Sequence, residues 1–199
     1  MNLPNALTVT RIFLVPLLVV VLLTKVKGEL VLGLPKDVVG AIIFALASLT
    51  DWADGYLARR RKQITPLGQV IDPLADKLLT SAAFISLVQL DLAQSWMVAV
   101  IIGREFAVTT LRSIAYARGV AMPASPLGKI KMVSQVVAIL ALILAHGQTW
   151  PFYLIGQVAL WVVVVTALWS GAEYFRRINA ILGPRVAEFP VAHKDRKAG

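Results

Sequence analysis

The chain has 199 residues, 58% hydrophobic and only 16% charged, and its mean hydropathy of +0.74 is typical of an integral membrane protein, not of a soluble domain. It contains no cysteine, which excludes disulfides and thiolate metal ligands, and its two histidines, His146 and His193, lie far apart, which disfavours a histidine metal site. The net charge of +9 comes from basic residues that flank apolar segments without interleaved aromatic residues. This pattern disfavours nucleic acid as a partner and favours an anionic lipid leaflet and phosphate-bearing molecules.

Six apolar segments follow one another along the chain. Their predicted bounds are 4–24, 37–60, 66–90, 94–118, 126–146 and 150–178. Each has room for the roughly 20 helical residues that cross a hydrocarbon layer about 30 Å thick. Polar or proline-containing breaks separate the segments, and no internal repeat is found. The sequence therefore predicts an all-α integral membrane protein with six transmembrane helices.

Basic residues are unevenly distributed between the two ends of these segments. An even number of spans places both termini on one side, and thirteen basic residues share that side: Arg59 to Lys62, Arg118, Lys129, Lys131, Arg176, Arg177, Arg185, Lys194, Arg196 and Lys197. The other side has Lys25, Lys27 and Lys36. Because cytoplasmic loops carry the excess of lysine and arginine, we expect both termini to be cytoplasmic.

The two ends of the chain differ in character. Near the amino terminus, Pro4 can open a short interfacial helix with Asn5 or Thr8 as its cap, or the segment is a plain start of the first span. From Gly183 onward the residues are polar and basic. We therefore predict one membrane domain over residues 1–182 and a basic cytoplasmic tail over residues 183–199.

Four aspartates lie in the second and third predicted helices. Asp51 and Asp54 are three residues apart, and Asp72 and Asp76 are four apart, so each pair lies on one helical face. With the second helix running toward the cytoplasm and the third running back, Asp51 and Asp72 both lie about 9–14 Å from the cytoplasmic end. An ionised aspartate within a span costs about 2.5–3.5 kcal/mol. Divalent cations bound by the carboxylates are one compensation, and pairing with nearby arginine and lysine is the other.

The segment 51–76 contains the pattern D-x2-D-G-x2-A-R-x8-G-x3-D-x3-D with every fixed position filled. This pattern resembles the signature of the CDP-alcohol phosphatidyltransferases. The opening N-L-P-N-x-L-T-x-x-R at residues 2–11 is similar to that of the bacterial phosphatidylglycerophosphate synthases within that family. The resemblance covers about residues 2–135 and implies a homodimeric enzyme of the bacterial inner membrane, with a polar cleft open to the cytoplasm.

The resemblance implies a cofactor of two divalent ions, Mg²⁺ or Mn²⁺, that hold the pyrophosphate of the donor. Asp51, Asp54 and Asp72 are then the main metal ligands. Asp76 is expected as the general base, as a further ligand, or as both, and the spacing does not separate these roles.

Small residues surround the aspartates in this segment. Gly55 and Gly68 lie within predicted helices, where glycine costs roughly 1 kcal/mol relative to alanine. Close approach of the nucleotide to the backbone explains them, and tight helix packing is the alternative. With the resemblance, Gly55, Ala58 and Gly68 leave room for the CDP-lipid, and Arg59 is placed to contact a phosphate.

A second group of charged residues follows in the fourth and fifth segments. Arg104 and Arg112 are eight residues apart, about 12 Å along one stripe of the fourth helix. Buried arginines require an anion or a wet cavity. Arg104 either pairs with Glu105 or the aspartates as a structural counter-ion, or it binds a second phosphate together with Arg112 and Lys129.

Residues 104–112 and 128–131 resemble the acceptor region of the phosphatidylglycerophosphate synthases. The resemblance implies transfer of the phosphatidyl group of CDP-diacylglycerol to sn-glycerol 3-phosphate, which gives phosphatidylglycerophosphate and CMP in phospholipid synthesis. Phosphatidylglycerol, inositol phosphate and serine are alternative acceptors, and a basic acceptor pocket argues against serine. A small transporter is the alternative from another class, since intramembrane charges also mark ion pathways.

Overall fold

The computed structural model describes residues 3–24, 30–31, 33–61, 66–117, 126–147 and 150–182. Within these ranges it describes all side chains except those of residues 3–9, 51–61, 66–74, 76, 116–117, 126–129, 175 and 177–182. The helices in these ranges are α1 Leu3–Leu23, α2 Lys36–Arg61, α3 Pro66–Gln89, α4 Ser95–Ala117, α5 Pro126–Ala145 and α6 Trp150–Leu182. All six predicted segments are therefore confirmed as helices, with ends that differ by at most four residues.

The first residues of the helices explain where several of them begin. Pro66 and Pro126 are the first residues of α3 and α5. At this position a backbone N–H has no acceptor within the helix, so proline, which lacks the N–H, costs no helical hydrogen bond. Asp37 lies in the first turn of α2, where a carboxylate interacts favourably with the positive end of the helix dipole.

The amino-terminal part of α1 corrects one prediction. The helix is continuous from Leu3 to Leu23, so within residues 3–24 no separate interfacial helix precedes the first long helix. Pro4 lies in the first turn of α1, a position that proline tolerates, and it therefore does not interrupt the helix. The alternative, a plain helix start, is what the structure has.

A short hairpin between α1 and α2 was not predicted from the sequence. Strand β1 (Leu30–Val31) pairs with β2 (Leu34–Pro35) in antiparallel register, with Leu30 opposite Pro35. Gly33 allows the turn because its φ of 78° lies in the left-handed region that favours glycine. In the part of the chain that the structure describes, this hairpin is the departure from an all-α fold.

The helices pack around a single apolar core. α5 lies along α6 and also contacts α2, α1 packs against both α2 and α3, and α4 packs against α6. The core includes the fully buried side chains Phe44, Phe84, Leu79, Met97, Ile101, Ile139 and Leu142. At Gly156 a Cβ atom would lie 2.7 Å from Leu142 Cδ2 and 3.1 Å from the Leu142 backbone nitrogen, so glycine permits the close approach of α6 to α5.

Large apolar side chains also cover the outside of the bundle. Phe13 on α1, Leu49 on α2, Val133 on α5 and Trp169 on α6 are each more than half exposed. Soluble monomers rarely expose apolar surface on this scale, because water does not solvate it favourably. The outer surface is therefore suited to lipid.

One stretch of α6, Trp150–Tyr174, is 25 residues long and apolar enough to cross a bilayer. Shorter apolar stretches among the described residues are Thr10–Leu23, Lys77–Gln89 and Ile130–Ala145. The chain thus has a clear candidate for a membrane span, and the number of six spans stays a prediction.

Two contacts bring alternate connections between the helices to the same end of the bundle. His146 Nδ1, in the turn after α5, lies 3.0 Å from Asp37 Oδ1 at the start of α2. Gln157 Nε2 on α6 donates a hydrogen bond of 2.7 Å to the carbonyl of Leu92, which follows α3. The start of α2, the α3–α4 turn and the α5–α6 turn therefore lie together, and the end of α2 and the start of α3 lie at the other end.

Candidate functional site

The four aspartates of the signature lie on two helices that contact each other. The backbone of Asp51 and Asp54 belongs to α2, and that of Asp72 and Asp76 to α3. Their side chains lie outside the described part of the structure, as do those of five other predicted site residues, Gly55, Ala58, Arg59, Gly68 and Lys129. Among the side chains that are described, no group of three or more histidines, aspartates or glutamates could hold a metal ion. The metal and nucleotide sites thus stay predictions.

Arg11, the last residue of the amino-terminal motif, is buried. Its side chain is 1% exposed, and α1 packs against α2 and α3, the two helices that carry the aspartates. A guanidinium inside a bundle must be compensated by an anion or by polar partners. The motif therefore contributes a charged group to the interior and not only a helix start.

Lys131 and Glu105 form an ion pair between α5 and α4. Lys131 Nζ donates to Glu105 Oε1 at 2.5 Å, and the two side chains are only 11% and 12% exposed. Lys131 is the last residue of the G-K-x-K segment that the sequence connects with the acceptor. Its charge is compensated here by Glu105.

Arg104 forms a hydrogen bond with a residue of α6 and not with Glu105, its neighbour in sequence. Arg104 Nη2 donates a hydrogen bond of 2.6 Å to Ser170 Oγ, whereas Glu105 is taken by Lys131. Of the alternatives for Arg104, a direct ion pair with Glu105 does not form, because residues adjacent in a helix point to different sides and Glu105 is paired with Lys131 of α5. Pairing of Arg104 with the aspartates involves side chains outside the described residues and stays open. Arg104 Nε is buried and has no hydrogen-bond acceptor among the residues that the structure describes.

Arg112 lies over the ring of Tyr174, again on α6. The guanidinium carbon Cζ is 5.8 Å from the ring centroid, within the distance at which a cation is attracted by an aromatic face. Tyr174 is 7% exposed, so the ring is fixed by packing. Arg104 and Arg112, predicted to share a stripe of α4, thus both face residues of α6.

The sequence did not identify the two residues of α6 that contact these arginines. Ser170 and Tyr174 lie in an apolar helix that looked generic, and Ser170 is 66 residues from Arg104. The available signal was weak: a serine and a tyrosine four residues apart, which places both on one face of a helix otherwise built from apolar residues.

A cavity of about 440 Å³ lies at the end of the bundle away from the end of α2 and the start of α3. It is bounded by the α3–α4 turn, including Asp91 and Gln94, and by Tyr153 and Gln157 of α6. None of the residues predicted for the metal, the nucleotide or the acceptor lines it. The predicted cleft at the aspartate end involves side chains outside the described residues and stays a prediction.

These features define a helical, membrane-associated protein with partly buried arginines on α4 and a buried lysine on α5. The sequence model of the CDP-alcohol phosphatidyltransferase family matches residues 1–169. The chain therefore belongs to the CDP-alcohol phosphatidyltransferase family, as the pattern at residues 51–76 predicted.

Named relatives are similar over most of the chain. A Bacillus subtilis (strain 168) protein named CDP-diacylglycerol–glycerol-3-phosphate 3-phosphatidyltransferase is 48% identical over 185 residues, which cover 88% of this chain and 94% of the relative. Proteins with the same name from Rickettsia typhi and Pseudomonas fluorescens are 37% identical over 177 residues and 36% identical over 186 residues. Each alignment covers 88% of this chain, with 96% of the Rickettsia typhi protein and 89% of the Pseudomonas fluorescens protein.

Proposed function

We propose that this chain transfers the phosphatidyl group of CDP-diacylglycerol to the 1-hydroxyl of sn-glycerol 3-phosphate, giving phosphatidylglycerophosphate and CMP. The observation that carries the proposal is the similarity, over 88% of the chain, to relatives named for this reaction. The complete aspartate signature on α2 and α3, the partly buried arginines of α4 and the buried Lys131 of α5 support it. The product would enter phospholipid synthesis.

The donor set of the signature fits hard divalent cations. Four carboxylates offer only oxygen ligands, which Mg²⁺ and Mn²⁺ prefer. Asp51, Asp54 and Asp72 would hold two such ions, and Asp76 would add a ligand if it does not act as the base alone. When bound, the ions would neutralise the pyrophosphate and the charge that develops on the attacking and leaving oxygens.

The residues of the chain would handle the proton and orient the donor. Asp76 would accept the proton of the acceptor hydroxyl as its oxygen bonds to the phosphorus that carries diacylglycerol, while the bond from that phosphorus to the CMP oxygen breaks. Gly55, Ala58 and Gly68 would leave space for the nucleotide, and Arg59 would contact a phosphate.

Arg104, Arg112 and Lys129 would bind the phosphate of glycerol 3-phosphate. The support for Arg104 is its hydrogen-bonding state: Ser170 accepts from Nη2, while the buried Nε has no acceptor among the described residues. A guanidinium whose buried Nε–H has no acceptor in the described part of the chain is suited to a phosphate, whose oxygens accept charge-assisted hydrogen bonds. Such a pocket selects phosphorylated alcohols over serine.

The proposed arrangement in the membrane has six spans, both termini in the cytoplasm and a polar cleft at the aspartate end, in the bacterial inner membrane. Apolar side chains on the outer surface of the helices and the contacts between alternate turns support it. Residues 1–182 would form one membrane domain, residues 183–199 a basic cytoplasmic tail, and the enzyme would be a homodimer. The lipid tails of the donor could then stay in the bilayer while its head group reaches the aspartates.

The direct test is CMP release by the purified protein in micelles that contain CDP-diacylglycerol and Mg²⁺. We expect CMP only when glycerol 3-phosphate is added. Release that requires phosphatidylglycerol or inositol phosphate instead would keep the family reaction and overturn the proposed acceptor. Absence of CMP release with every acceptor would overturn the proposed reaction and favour a transporter.

A further inference from the structure

The two arginines on α4 are held by one face of α6. Ser170 contacts Arg104 and Tyr174 contacts Arg112, and the two α6 residues are four apart, one helical turn. Both are buried, at 2% and 7% exposure. The α6 side of both contacts is therefore shielded from solvent, while the two arginines themselves are partly buried.

The Ser170 hydroxyl is a fixed acceptor for Arg104. Ser170 Oγ lies 2.7 Å from the backbone carbonyl of Thr166, to which it donates its single proton. Its lone pairs are then available to Arg104 Nη2, which donates from 2.6 Å. The stem of Arg104 passes Gly171, where a Cβ atom would lie 3.5 Å from Arg104 Cγ. The hydrogen bond and the packing together orient the guanidinium.

Ser170 holds Arg104 without neutralising it. A carboxylate partner would cancel much of the charge, as Glu105 does for Lys131. A hydroxyl satisfies one donor and leaves the positive charge for another anion. Lys131 is therefore a structural cation, whereas Arg104 is oriented by a hydrogen bond and its charge can still interact with a bound anion.

We propose that Ser170 and Tyr174 are positioning residues that set Arg104 and Arg112 for the phosphate of the acceptor, so that α6 determines acceptor recognition. This inference rests on the proposed function, because it assumes that the α4 arginines bind that phosphate. Both residues lie beyond residues 1–169, the range that the family model matches. The proposed positioning role therefore concerns residues outside the segment 51–76 and outside the range that the family model matches.

The test is steady-state kinetics in which the concentrations of glycerol 3-phosphate and CDP-diacylglycerol are varied independently. Ser170→Ala should raise the KM for glycerol 3-phosphate about three- to tenfold, the effect of losing one hydrogen bond, and leave kcat and the KM for CDP-diacylglycerol unchanged. Thr166→Val is the matched control, because it removes a hydroxyl one turn earlier that bonds only within α6. A variant that misfolds would lose activity at all concentrations of both substrates, which distinguishes misfolding from a change in acceptor binding.

A double-mutant cycle separates this inference from the proposed function. Arg104→Ala should itself raise the KM for glycerol 3-phosphate, and Ser170→Ala should have no further effect in the Arg104→Ala background. An unchanged KM in Arg104→Ala would overturn the assignment of Arg104 to the acceptor. A raised KM in Arg104→Ala with an unchanged KM in Ser170→Ala, or additive effects of the two changes, would overturn the positioning role alone.

Tyr174 gives a second readout in the same assay. Tyr174→Phe keeps an aromatic face under Arg112 and should keep the wild-type KM for glycerol 3-phosphate, whereas Tyr174→Leu should raise it about two- to fivefold, the size of a modest cation–π contact. Equal KM values in the two variants would overturn the role of the Tyr174 ring.

Discussion

Lys131 on α5 and Glu105 on α4 form an ion pair in the interior of the bundle, with 2.5 Å between Nζ and Oε1. Removing one partner of such a pair leaves an uncompensated buried charge, which costs about 3–5 kcal/mol. We therefore expect Glu105→Ala to lower the free energy of unfolding by about 3 kcal/mol. The measurement is thermal or denaturant unfolding of the detergent-solubilised protein, followed by tryptophan fluorescence.

The double variant Glu105→Gln/Lys131→Met should recover most of that loss, because it removes both charges at once. Ser113→Ala, on an exposed part of α4, should change the free energy of unfolding by less than about 0.5 kcal/mol. If the single Glu105 variant were as stable as the Ser113 variant, the pair would have no structural role.

Asp91 closes the carboxyl end of α3 in an unusual conformation for a residue other than glycine. Its φ is 57°, its N–H donates to the Val88 carbonyl at 3.1 Å, and the Leu92 N–H donates to the Leu87 carbonyl at 2.9 Å. This is the Schellman arrangement, in which the left-handed position is usually glycine or asparagine. The carboxylate also lies at the negative end of the helix dipole.

We expect Asp91→Asn to raise the free energy of unfolding by about 0.3–1 kcal/mol, because asparagine tolerates the left-handed region and removes the unfavourable charge. Asp91→Val should lower it by about 1–2 kcal/mol, since a β-branched side chain is strained at positive φ. The same unfolding assay measures both changes. A valine variant as stable as wild type would show that this turn does not require the observed backbone conformation.

The helices of the bundle were predictable because runs of about twenty apolar residues have few alternatives to a helix in a bilayer. The hairpin at Leu30–Pro35 was not, since strands of two residues have too little alternation to recognise. The sequence did not decide whether α1 is continuous from its first turn, because proline in a first turn and proline at a break look alike in a sequence. The dense pattern at residues 51–76 predicted the family, which the family model confirms. Ser170 was not predicted, because its significance depends on a contact with α4.

The orientation in the membrane can be tested with single cysteines, since the natural chain has none. From the excess of basic residues at one end, Lys62→Cys and Lys197→Cys should react with an impermeant maleimide only after the cells are permeabilised. Gln94→Cys, in the α3–α4 turn, should react from outside intact cells. Labelling of Lys197→Cys in intact cells would mean an odd number of spans or an inverted orientation.

The proposed metal site can be tested by charge removal and by chelation. Asp51→Asn and Asp72→Asn should each reduce CMP release by at least about a hundredfold, because a carboxylate that holds a divalent cation is lost. Excess EDTA should abolish activity, and Mg²⁺ or Mn²⁺ should restore it. Asp91→Asn is the matched control, an identical substitution at the other end of α3, and should keep full activity. Complete turnover in excess EDTA would contradict a metal-dependent reaction.

Binding of the acceptor and the chemical step should respond to different substitutions. Arg112→Ala or Lys129→Ala removes a charge-assisted contact worth about 1.5–3 kcal/mol, so the KM for glycerol 3-phosphate should rise roughly ten- to a hundredfold. The KM for CDP-diacylglycerol should not change. Asp76→Asn should instead lower kcat even at saturating acceptor, because a base acts in the transition state.

Steady-state kinetics with both substrates varied separate an effect on acceptor binding from an effect on the chemical step. The assay compares these three variants with Arg176→Ala. Arg176 is an exposed cation near the end of α6 that has no part in the proposed site, so its variant should keep the wild-type KM for glycerol 3-phosphate. If Arg176→Ala raised this KM as much as Arg112→Ala did, the effect would be one of general surface charge. If Asp76→Asn raised the acceptor KM and kept kcat, Asp76 would contribute to binding and not to proton transfer. The size of the KM change in Arg112→Ala relative to Arg176→Ala therefore decides whether a specific phosphate pocket exists on α4.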